Sequence, residues 1–517
     1  MSSTRRWILA AFCGSQIGCV QGGAPIPTPA PVPPAAVTSP AGVAAAVARE
    51  PAQATGPART AVLQAFVDSL VQLPQFSSAH WGMLIVSPDR ADTLAEVQAD
   101  RLVMPASNQK LVTAAVGLAQ LGADYQWRTT FTRTGPVVRG VLRGDLVVTG
   151  TGDPSISTAM RTDPLSAFDP LIAALRSAGI TRIAGRVRVS ETKAFPGSPL
   201  GFGWDWDDLD AAYGAGVTEL MFNEAFTDVQ VRGCGAPGRL ACVTTTPARA
   251  SPTIRSQVTT RAAGSGPAEI EWWRDSAATP GITIRGTIAA HDSLEFSAAQ
   301  PDGRATYIAA VREALARGNI SVRNTAIGGS GSDTVIVLRS LPLRDVLGAM
   351  QKPSQNQIAE ALFRTIAREA TGVGTPDSAR AVIERQLAQW GVRPDAYAVR
   401  DGSGLSRHDY ISPRALVQLL ETMRRSANFT TFHESLPLAG KEGTLRNRMQ
   451  TVALGRVRAK TGTIDKARAL SGYVTTADGE MLIFSLIANN YVVPTREVDR
   501  IAELIVERLV NMRRLAP

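Results

Sequence analysis

The chain has 517 residues, which is enough for roughly three domains of about 150 residues each. Hydrophobic residues make up 44% of it and charged residues 19%, as in a folded globular protein with a full core. The net charge is +9, but the basic residues are spread evenly and form no block of the kind that binds nucleic acid. We interpret the charge as one that suits solubility in anionic cell-wall or membrane surroundings.

The first twenty residues, 1–20, have the pattern of an export signal. Arg5 and Arg6 give a charged start, and small residues follow the apolar stretch 7–12. This stretch is too short to span a bilayer. We therefore expect an exported protein of the periplasm or cell envelope.

A lipid anchor is the second expectation for this region. Cys19 follows a segment that resembles a lipoprotein processing site, but Gln16 stands where that pattern usually has leucine, so lipidation is left open. Residues 21–57 are rich in Ala and Pro and predict a flexible or semi-extended tether. The folded part is expected to begin near residue 58.

The first folded elements are predicted to be one helix and two strands. Val62, Phe66 and Leu70 have helical spacing. Residues 81–86 and 93–97 look like two strands joined by the turn 87–89.

A Ser-x-x-Lys motif, Ser107 and Lys110, opens the next apolar run. Pro105 fits a helix start, so we expect the two side chains to share one face of a helix's first turn. A hydroxyl becomes a good nucleophile when a nearby base takes its proton, and a lysine with a lowered pKa can do this. The motif alone is weak, because the same spacing occurs by chance in many proteins.

Residues 131–340 differ in character, because short strand-like runs separated by Gly, Pro and Asp dominate them. The predicted strands are 140–149, 180–189, 229–231, 270–273, 282–289 and 334–338, with helices at 170–177 and 304–317. This pattern predicts one or two inserted β-rich units that are separate from the motifs.

Cys234 and Cys242 lie in this middle region, between strand-like runs. In an exported protein they predict a disulfide across a hairpin, and two free thiols are the alternative. The four histidines are His80, His291, His408 and His433. Since none has ligand spacing to a cysteine or to another histidine, we expect no metal site.

Helices return after residue 341. They are predicted at 344–350, 356–370, 378–390, 414–425 and 497–512, with three antiparallel strands at 457–463, 469–475 and 481–488. Two further motifs lie here: Ser354 with Asn356 forms a Ser-x-Asn triplet, and Lys460 begins a Lys-Thr-Gly triplet.

The three motifs support one another. In this order they mark penicillin-binding proteins and class A β-lactamases. The chain has only six lysines among 54 Lys and Arg residues, and two of the six, Lys110 and Lys460, fall in the motifs. Three accidental tripeptides explain this poorly.

The chain resembles the low-molecular-mass class C penicillin-binding proteins, the D-Ala-D-Ala carboxypeptidase/endopeptidase family. The first motif gap is 354 − 107 = 247 positions and the second is 460 − 354 = 106. Class A β-lactamases have only tens of residues in the first gap, whereas this family fills it with inserted domains. Further similar runs are 150–155, 204–208, 213–214, 401–407 and 439–445.

The resemblance implies an α/β (α+β) fold of the serine β-lactamase/transpeptidase type with β-rich inserted domains. The penicillin-binding/DD-peptidase domain would comprise residues 58–130 and 341–517, and the insert residues 131–340. We interpret the run 150–155 as a turn rather than as a site for a catalytic Asp153.

The resemblance also implies the chemistry, which is serine acyl transfer on peptidoglycan stem peptides with no metal or organic cofactor. Ser107 would attack the carbonyl between two D-alanines, or between D-alanine and a cross-linking diamino acid. Lys110 would act as the base, Ser354 would relay a proton, and Asn356 would hold the substrate amide. Lys460 would attract the carboxylate of the substrate or of a β-lactam inhibitor.

The remaining substrate contacts follow from the same resemblance. Thr461, Gly462 and Thr463 continue the Lys460 motif, and the N–H groups of Ser107 and Thr463 would form the oxyanion hole. Two further residues are assigned to substrate binding. Asp208, in an insert loop that folds over the cleft, would pair with the free ammonium of a diamino-acid stem peptide, and Arg407 would lie close to the site.

Two alternatives remain. One is a β-lactamase or esterase on the same fold, although the chain has no Glu-x-x-Leu-Asn loop of the class A kind. The other is a non-catalytic, exported peptidoglycan-binding protein, against which the intact motifs argue. The sequence does not give the balance of carboxypeptidase and endopeptidase activity, the preferred diamino acid or the oligomeric state.

Overall fold

The computed structural model describes residues 56–514 except 247, 249–251, 276–280 and 326–331. The expected export signal, Cys19 and nearly all of the tether lie outside the described residues. Within the described part of the chain, no helix combines the length and apolar character needed to cross a membrane.

Ten helices occur among the described residues, and each predicted helix is present within a few residues of its expected limits. They are α1 Gly56–Val71, α2 Gln109–Leu121, α3 Asp169–Ser177, α4 Gly303–Arg317, α5 Leu343–Gln351, α6 Asn356–Thr371, α7 Pro376–Gln389, α8 Pro413–Arg424, α9 Phe429–Ser435 and α10 Thr495–Val510.

The first two and the last three strands form one sheet, and the strands between them form several smaller sheets. They are β1 His80–Ser87, β2 Asp92–Val97, β3 Arg128–Arg133, β4 Val137–Val138, β5 Val141–Leu142, β6 Leu146–Thr149, β7 Arg182–Ile183, β8 Val187–Val189, β9 Phe226–Arg232, β10 Cys242–Thr246, β11 Ile254–Arg261, β12 Glu269–Arg274, β13 Ile282–Ala289, β14 Ser293–Ala299, β15 Ser321–Val322, β16 Asp333–Arg339, β17 Tyr397–Ala398, β18 Tyr410–Ile411, β19 Val457–Ile464, β20 Ala467–Thr475 and β21 Met481–Asn489.

A five-stranded antiparallel sheet, in the order β19-β20-β21-β1-β2, brings the two ends of the folded chain together. The strands predicted around residues 81–97 and 457–488 are confirmed. The apolar face of α2 packs against α6, and Leu111, Val112 and Leu362 are fully buried in one cluster. This helical core lies beneath the Ser107 motif and fixes its position.

The middle of the chain forms smaller sheets with cores of their own. The orders are β10-β9-β14, β11-β13-β12, β15-β7-β5-β4 and β16-β3-β6-β8. The predictions of single strands over 140–149 and 180–189 are wrong, because each run is broken into two short strands. The reason is a backbone crossing: a Cβ at Gly185 would lie 2.3 Å from the carbonyl oxygen of Gly144.

The predicted disulfide is present. Cys234 and Cys242 are bridged, with their Cα atoms 5.8 Å apart. The bridge closes the β9–β10 hairpin, in which Cys242 pairs with Arg232.

Candidate active site

Ser107 lies in a 3-10 turn, Ala106–Asn108, directly before α2. It is therefore not on the first turn of the α-helix as predicted, because α2 begins only at Gln109. Ala106 has a φ of +47°, a conformation that is uncommon outside glycine. The turn is packed tightly: a Cβ at Gly404 would lie 1.8 Å from the carbonyl oxygen of Ala106. Close packing thus holds the partly exposed Ser107 at one place.

Lys110 is completely buried and touches Ser107. Its Nζ donates to Ser107 Oγ at 2.8 Å, to Asn356 Oδ1 at 2.6 Å and to the Ser403 carbonyl at 2.8 Å. Burial lowers the pKa of Lys110 to about 7, although neighbouring carboxylates act in the opposite direction. An amine with this pKa can accept a proton from Ser107 near neutral pH.

Three buried carboxylates lie beneath this lysine, and all three oppose the lowering of its pKa. Asp401 accepts hydrogen bonds from backbone N–H groups of its own loop, including Gly404 N at 2.6 Å. Burial, and then the charge of Asp401, raises the pKa of Glu360 to about 8 and raises the pKa of Asp409 well above its usual value. Of the three carboxylates, Asp401 opposes the lowering of the Lys110 pKa most strongly.

Ser354 precedes α6 and Asn356 is its first residue, and each contacts one of the two motif lysines. Lys460 Nζ donates to Ser354 Oγ at 2.8 Å, and Lys110 Nζ reaches Asn356 as described. Ser354 has a φ of +69°. Burial, together with repulsion from Lys110, holds the pKa of Lys460 well below its usual value. A carboxylate placed beside Lys460 would supply the negative charge that favours its protonated form.

The Lys-Thr-Gly triplet lies on β19, the edge strand of the five-stranded sheet. Ala459 N donates to Pro437 O at 3.1 Å, on the side away from β20. Because strand residues alternate, the N–H groups of Thr461 and Thr463 also point away from β20. Thr461 Oγ1 donates to Thr444 Oγ1 at 2.7 Å, and Thr463 is exposed. A Cβ at Gly462 would lie 2.6 Å from the carbonyl oxygen of Pro105, so β19 runs directly beside the Ser107 turn.

The inserted region contacts the motifs directly, and the expectation that it is separate from them is wrong. Asn356 Nδ2 donates to the Tyr213 carbonyl at 2.9 Å. Trp204 Nε1 donates to Asp401 Oδ2 at 2.8 Å. Local sequence patterns could not show these contacts, because residues more than a hundred positions apart share no such pattern. Only the resemblance to the family indicated that an insert loop folds over the cleft.

The structure places Asp208 and Arg407 close to these contacts. Asp208 Oδ1 accepts a hydrogen bond from the Tyr213 hydroxyl at 2.7 Å, and burial with this bond raises the pKa of Tyr213 to about 12. Arg407 Nε donates to Asp205 Oδ2 at 2.6 Å, and Asp208 also contributes to the raised pKa of Arg407. The two proposed substrate residues thus belong to one charged group at the edge of the insert loop.

Several residues of the site were missed at the sequence level. Glu360 follows Asn356 by one helical turn on a buried face of α6, and a carboxylate at such a position is a signal that could have been used. Thr444 lies in the run 439–445, which resembles the family, but no role was assigned to it. The interpretation of the 150–155 run as a turn fits the geometry: Asp153 is buried in the insert and accepts from Ser155 N at 2.8 Å. Among the described residues, no group of His, Cys, Asp and Glu is arranged to hold a metal ion.

A Ser-x-x-Lys turn, a Ser-x-Asn loop and a Lys-Thr-Gly edge strand that meet in this way define the class of penicillin-interacting serine enzymes. The family described as the D-Ala-D-Ala carboxypeptidase 3 (S13) family matches residues 63–511. The chain belongs to this family, and the resemblance seen in the sequence is confirmed.

Individual relatives agree with this assignment. A D-alanyl-D-alanine carboxypeptidase of Actinomadura sp. (strain R39) is 30% identical over 461 residues, which cover 85% of this chain and 83% of the relative. D-alanyl-D-alanine carboxypeptidase DacB of Haemophilus influenzae is 25% identical and covers 82% and 88%. The crystal structure of penicillin binding protein 4 (dacB) from Haemophilus influenzae superposes with a TM-score of 0.71 at 25% identity, covering 86% of this chain and 97% of that one. The predicted fold class is confirmed.

Proposed function

We propose that this chain is a serine DD-peptidase that cleaves D-alanyl-D-alanine and D-alanyl-diamino-acid bonds through an acyl-enzyme on Ser107. The observation that carries the proposal is the 2.8 Å hydrogen bond from Lys110 Nζ to Ser107 Oγ. The family and the relatives named D-alanyl-D-alanine carboxypeptidase support the reaction class.

The proposed first step is the attack of Ser107 Oγ on the substrate carbonyl. Neutral Lys110 takes the serine proton, and its pKa of about 7 suits this at neutral pH. The proton is then delivered to the leaving amine. Ser354, which accepts a hydrogen bond from Lys460, would relay it. Water later releases the acyl group from Ser107.

Substrate contacts complete the proposal. The outward N–H of Thr463 and the N–H of Ser107 stabilise the developing oxyanion, at about 3 kcal/mol for each donor. Asn356 holds the substrate amide, and Lys460 with Thr461 binds the carboxylate that peptides and β-lactams share. Gly462 lets β19 lie close to the Ser107 turn, because a side chain at this position would collide with the Pro105 carbonyl oxygen.

Asp208 and Arg407 are proposed to select substrates. An ammonium group near Asp208 would compete with the Tyr213 hydroxyl for the carboxylate. A pair of this kind at a partly exposed site contributes about 1 kcal/mol, so it favours one substrate over another without driving the reaction. Arg407, which is paired with the neighbouring Asp205, would contact the substrate beside Asp208.

The proposed location is the cell envelope, where peptidoglycan is found. Export would follow from residues 1–20, and a lipid on Cys19 would tether the enzyme through residues 21–57. The mass of the mature N-terminal peptide distinguishes a lipidated Cys19 from simple signal cleavage.

A fluorescent penicillin tests the reaction. We expect a stable adduct on the wild-type protein and none on Ser107→Ala, with the fold intact by circular dichroism. An adduct on Ser107→Ala would disprove the assignment of the nucleophile. Rapid turnover of the penicillin would instead point to a β-lactamase, and absence of labelling in the wild type would point to a non-catalytic binding protein. Cross-linked muropeptides, weighed after incubation, measure the two peptidase activities.

A further inference from the structure

A buried turn of the inserted region lies next to the Ser-x-Asn motif. Its residues Asn223, Glu224 and Ala225 have φ values of +49°, +54° and +59°, and all three are buried. Non-glycine residues adopt this conformation at a cost, so the surroundings must hold it. They do so through Asn223 N, which donates to Ile156 O at 2.9 Å, and through Thr158 Oγ1, which donates to Asn223 Oδ1 at 3.0 Å.

The turn directs the Glu224 carboxylate at the motif. Its two oxygens accept hydrogen bonds from Ser157 Oγ and from Gln355 Nε2, the amide of the middle residue of the motif. Burial raises the pKa of Glu224, the two hydrogen bonds lower it, and Asp228 raises it. A carboxylate that is 3% exposed depends on its donors, because loss of one would leave a buried oxygen unsatisfied.

Gln355 stands between the two residues that meet the lysines. Ser354, with its φ of +69°, precedes it and accepts from Lys460, while Asn356 follows it and accepts from Lys110. A displacement of Gln355 would therefore move both partners of the lysines. Sub-ångström alignment of reacting groups has large effects on rate.

We propose that Glu224 is a positioning residue for the acylation reaction, acting through Gln355 to hold Ser354 and Asn356 against the two lysines. Glu224 touches neither nucleophile nor base, so it has no catalytic role of its own. The inference rests on the proposed function, since it concerns the geometry of that same site. It assigns to the insert a part in the alignment of the motifs, in addition to substrate selection.

Gln355→Glu tests this by placing a second carboxylate against Glu224. We expect the rate constant for acylation by penicillin to fall about 30-fold relative to wild type near about pH 8, and less near about pH 6, where the pair can share a proton. Binding of penicillin before acylation should fall less than the rate constant does, because Lys460 still binds the carboxylate and only the contact of Asn356 with the amide is disturbed.

The swapped double variant Glu224→Gln/Gln355→Glu provides the decisive comparison. The amide then donates from position 224 to the carboxylate at position 355, so the hydrogen bond is restored in the opposite direction. We expect acylation to return to within about threefold of wild type at both pH values.

Matched controls complete the experiment. Gln230→Glu makes the same change opposite Glu295 on the exposed face of the β9–β14 pair, away from the motif, and should leave acylation unchanged. Gln355→Ala removes the donor without adding charge and should lower acylation about tenfold, which keeps the inference testable if Gln355→Glu does not fold.

The outcomes separate the two proposals. Wild-type rates in Gln355→Glu or Gln355→Ala, or a double variant as slow as Gln355→Glu, would overturn the positioning role of Glu224. Absence of acylation in the wild-type protein would overturn the proposed function instead.

Discussion

Acylation of Ser107 should rise with pH around neutrality, because Lys110 must be neutral to take the serine proton. The structure puts the pKa of Lys110 at about 7, lowered by burial. A single group with this pKa is about 9% neutral at pH 6 and about 91% neutral at pH 8. The rate constant should therefore increase about tenfold over this interval.

The assay is stopped-flow acylation by a fluorescent penicillin across this range. A thioester without a carboxylate serves as the second substrate, which removes the contribution of Lys460 to substrate binding. Lys110→Arg should lower the rate about a thousandfold at every pH, because a guanidinium stays protonated and cannot act as the base. Lys193→Arg, at an exposed position outside the motifs, is the matched control and should behave as wild type.

Three results would refute this reasoning. They are rates that stay constant or fall between the two pH values, a Lys110→Arg variant within tenfold of wild type, and an ascending limb that appears with penicillin but not with the thioester. Each would mean that a group other than Lys110 accepts the proton.

Two further predictions concern the insert. Asp208→Asn should lower kcat/KM about tenfold, or about 1.4 kcal/mol, for peptides with a free side-chain amine. Acylation by penicillin should stay nearly unchanged. Equal losses on both substrates, or no loss on either, would make Asp208 a structural residue. Replacing Cys234 and Cys242 by serine should lower the free energy of unfolding by about 2.5 kcal/mol with little change in acylation, because β9 separates the bridge from the Glu224 turn. A large loss of acylation with unchanged stability would contradict this.

Local periodicity predicted the helices well, and α10 shows the one apolar face that its buried residues occupy. The last two strands of the five-stranded sheet were recognised from apolar runs instead, because β20 and β21 are buried on both faces and do not alternate. Short strands were harder. The runs at 140–149 and 180–189 are broken by the close backbone contact at Gly144 and Gly185, which hydropathy does not reveal. The domain limits at residues 130/131 and 340/341 stay predictions.

The motifs gave the chemical groups of the site but not their surroundings. Ser107 and Lys110 are only three positions apart, so their proximity could be predicted from the sequence. The contacts of Lys110 with Asn356 and Ser403 join residues 246 and 293 positions apart, so they depend on the completed fold. The positive φ values of Ala106 and Ser354 could not be predicted either, because neither alanine nor serine favours this conformation.

The double contact of Asn356 has a consequence for how such a protein could be recombined. Its side chain bonds Lys110 through one atom and the Tyr213 carbonyl through the other. The inserted region is thus not a cassette that can be exchanged freely between relatives. A chimaera with a foreign insert would keep its base in place only if the segment around Tyr213 and the first turn of α6 came from the same parent. Recombination points that respect this pairing lie on the far side of the insert, towards the disulfide hairpin.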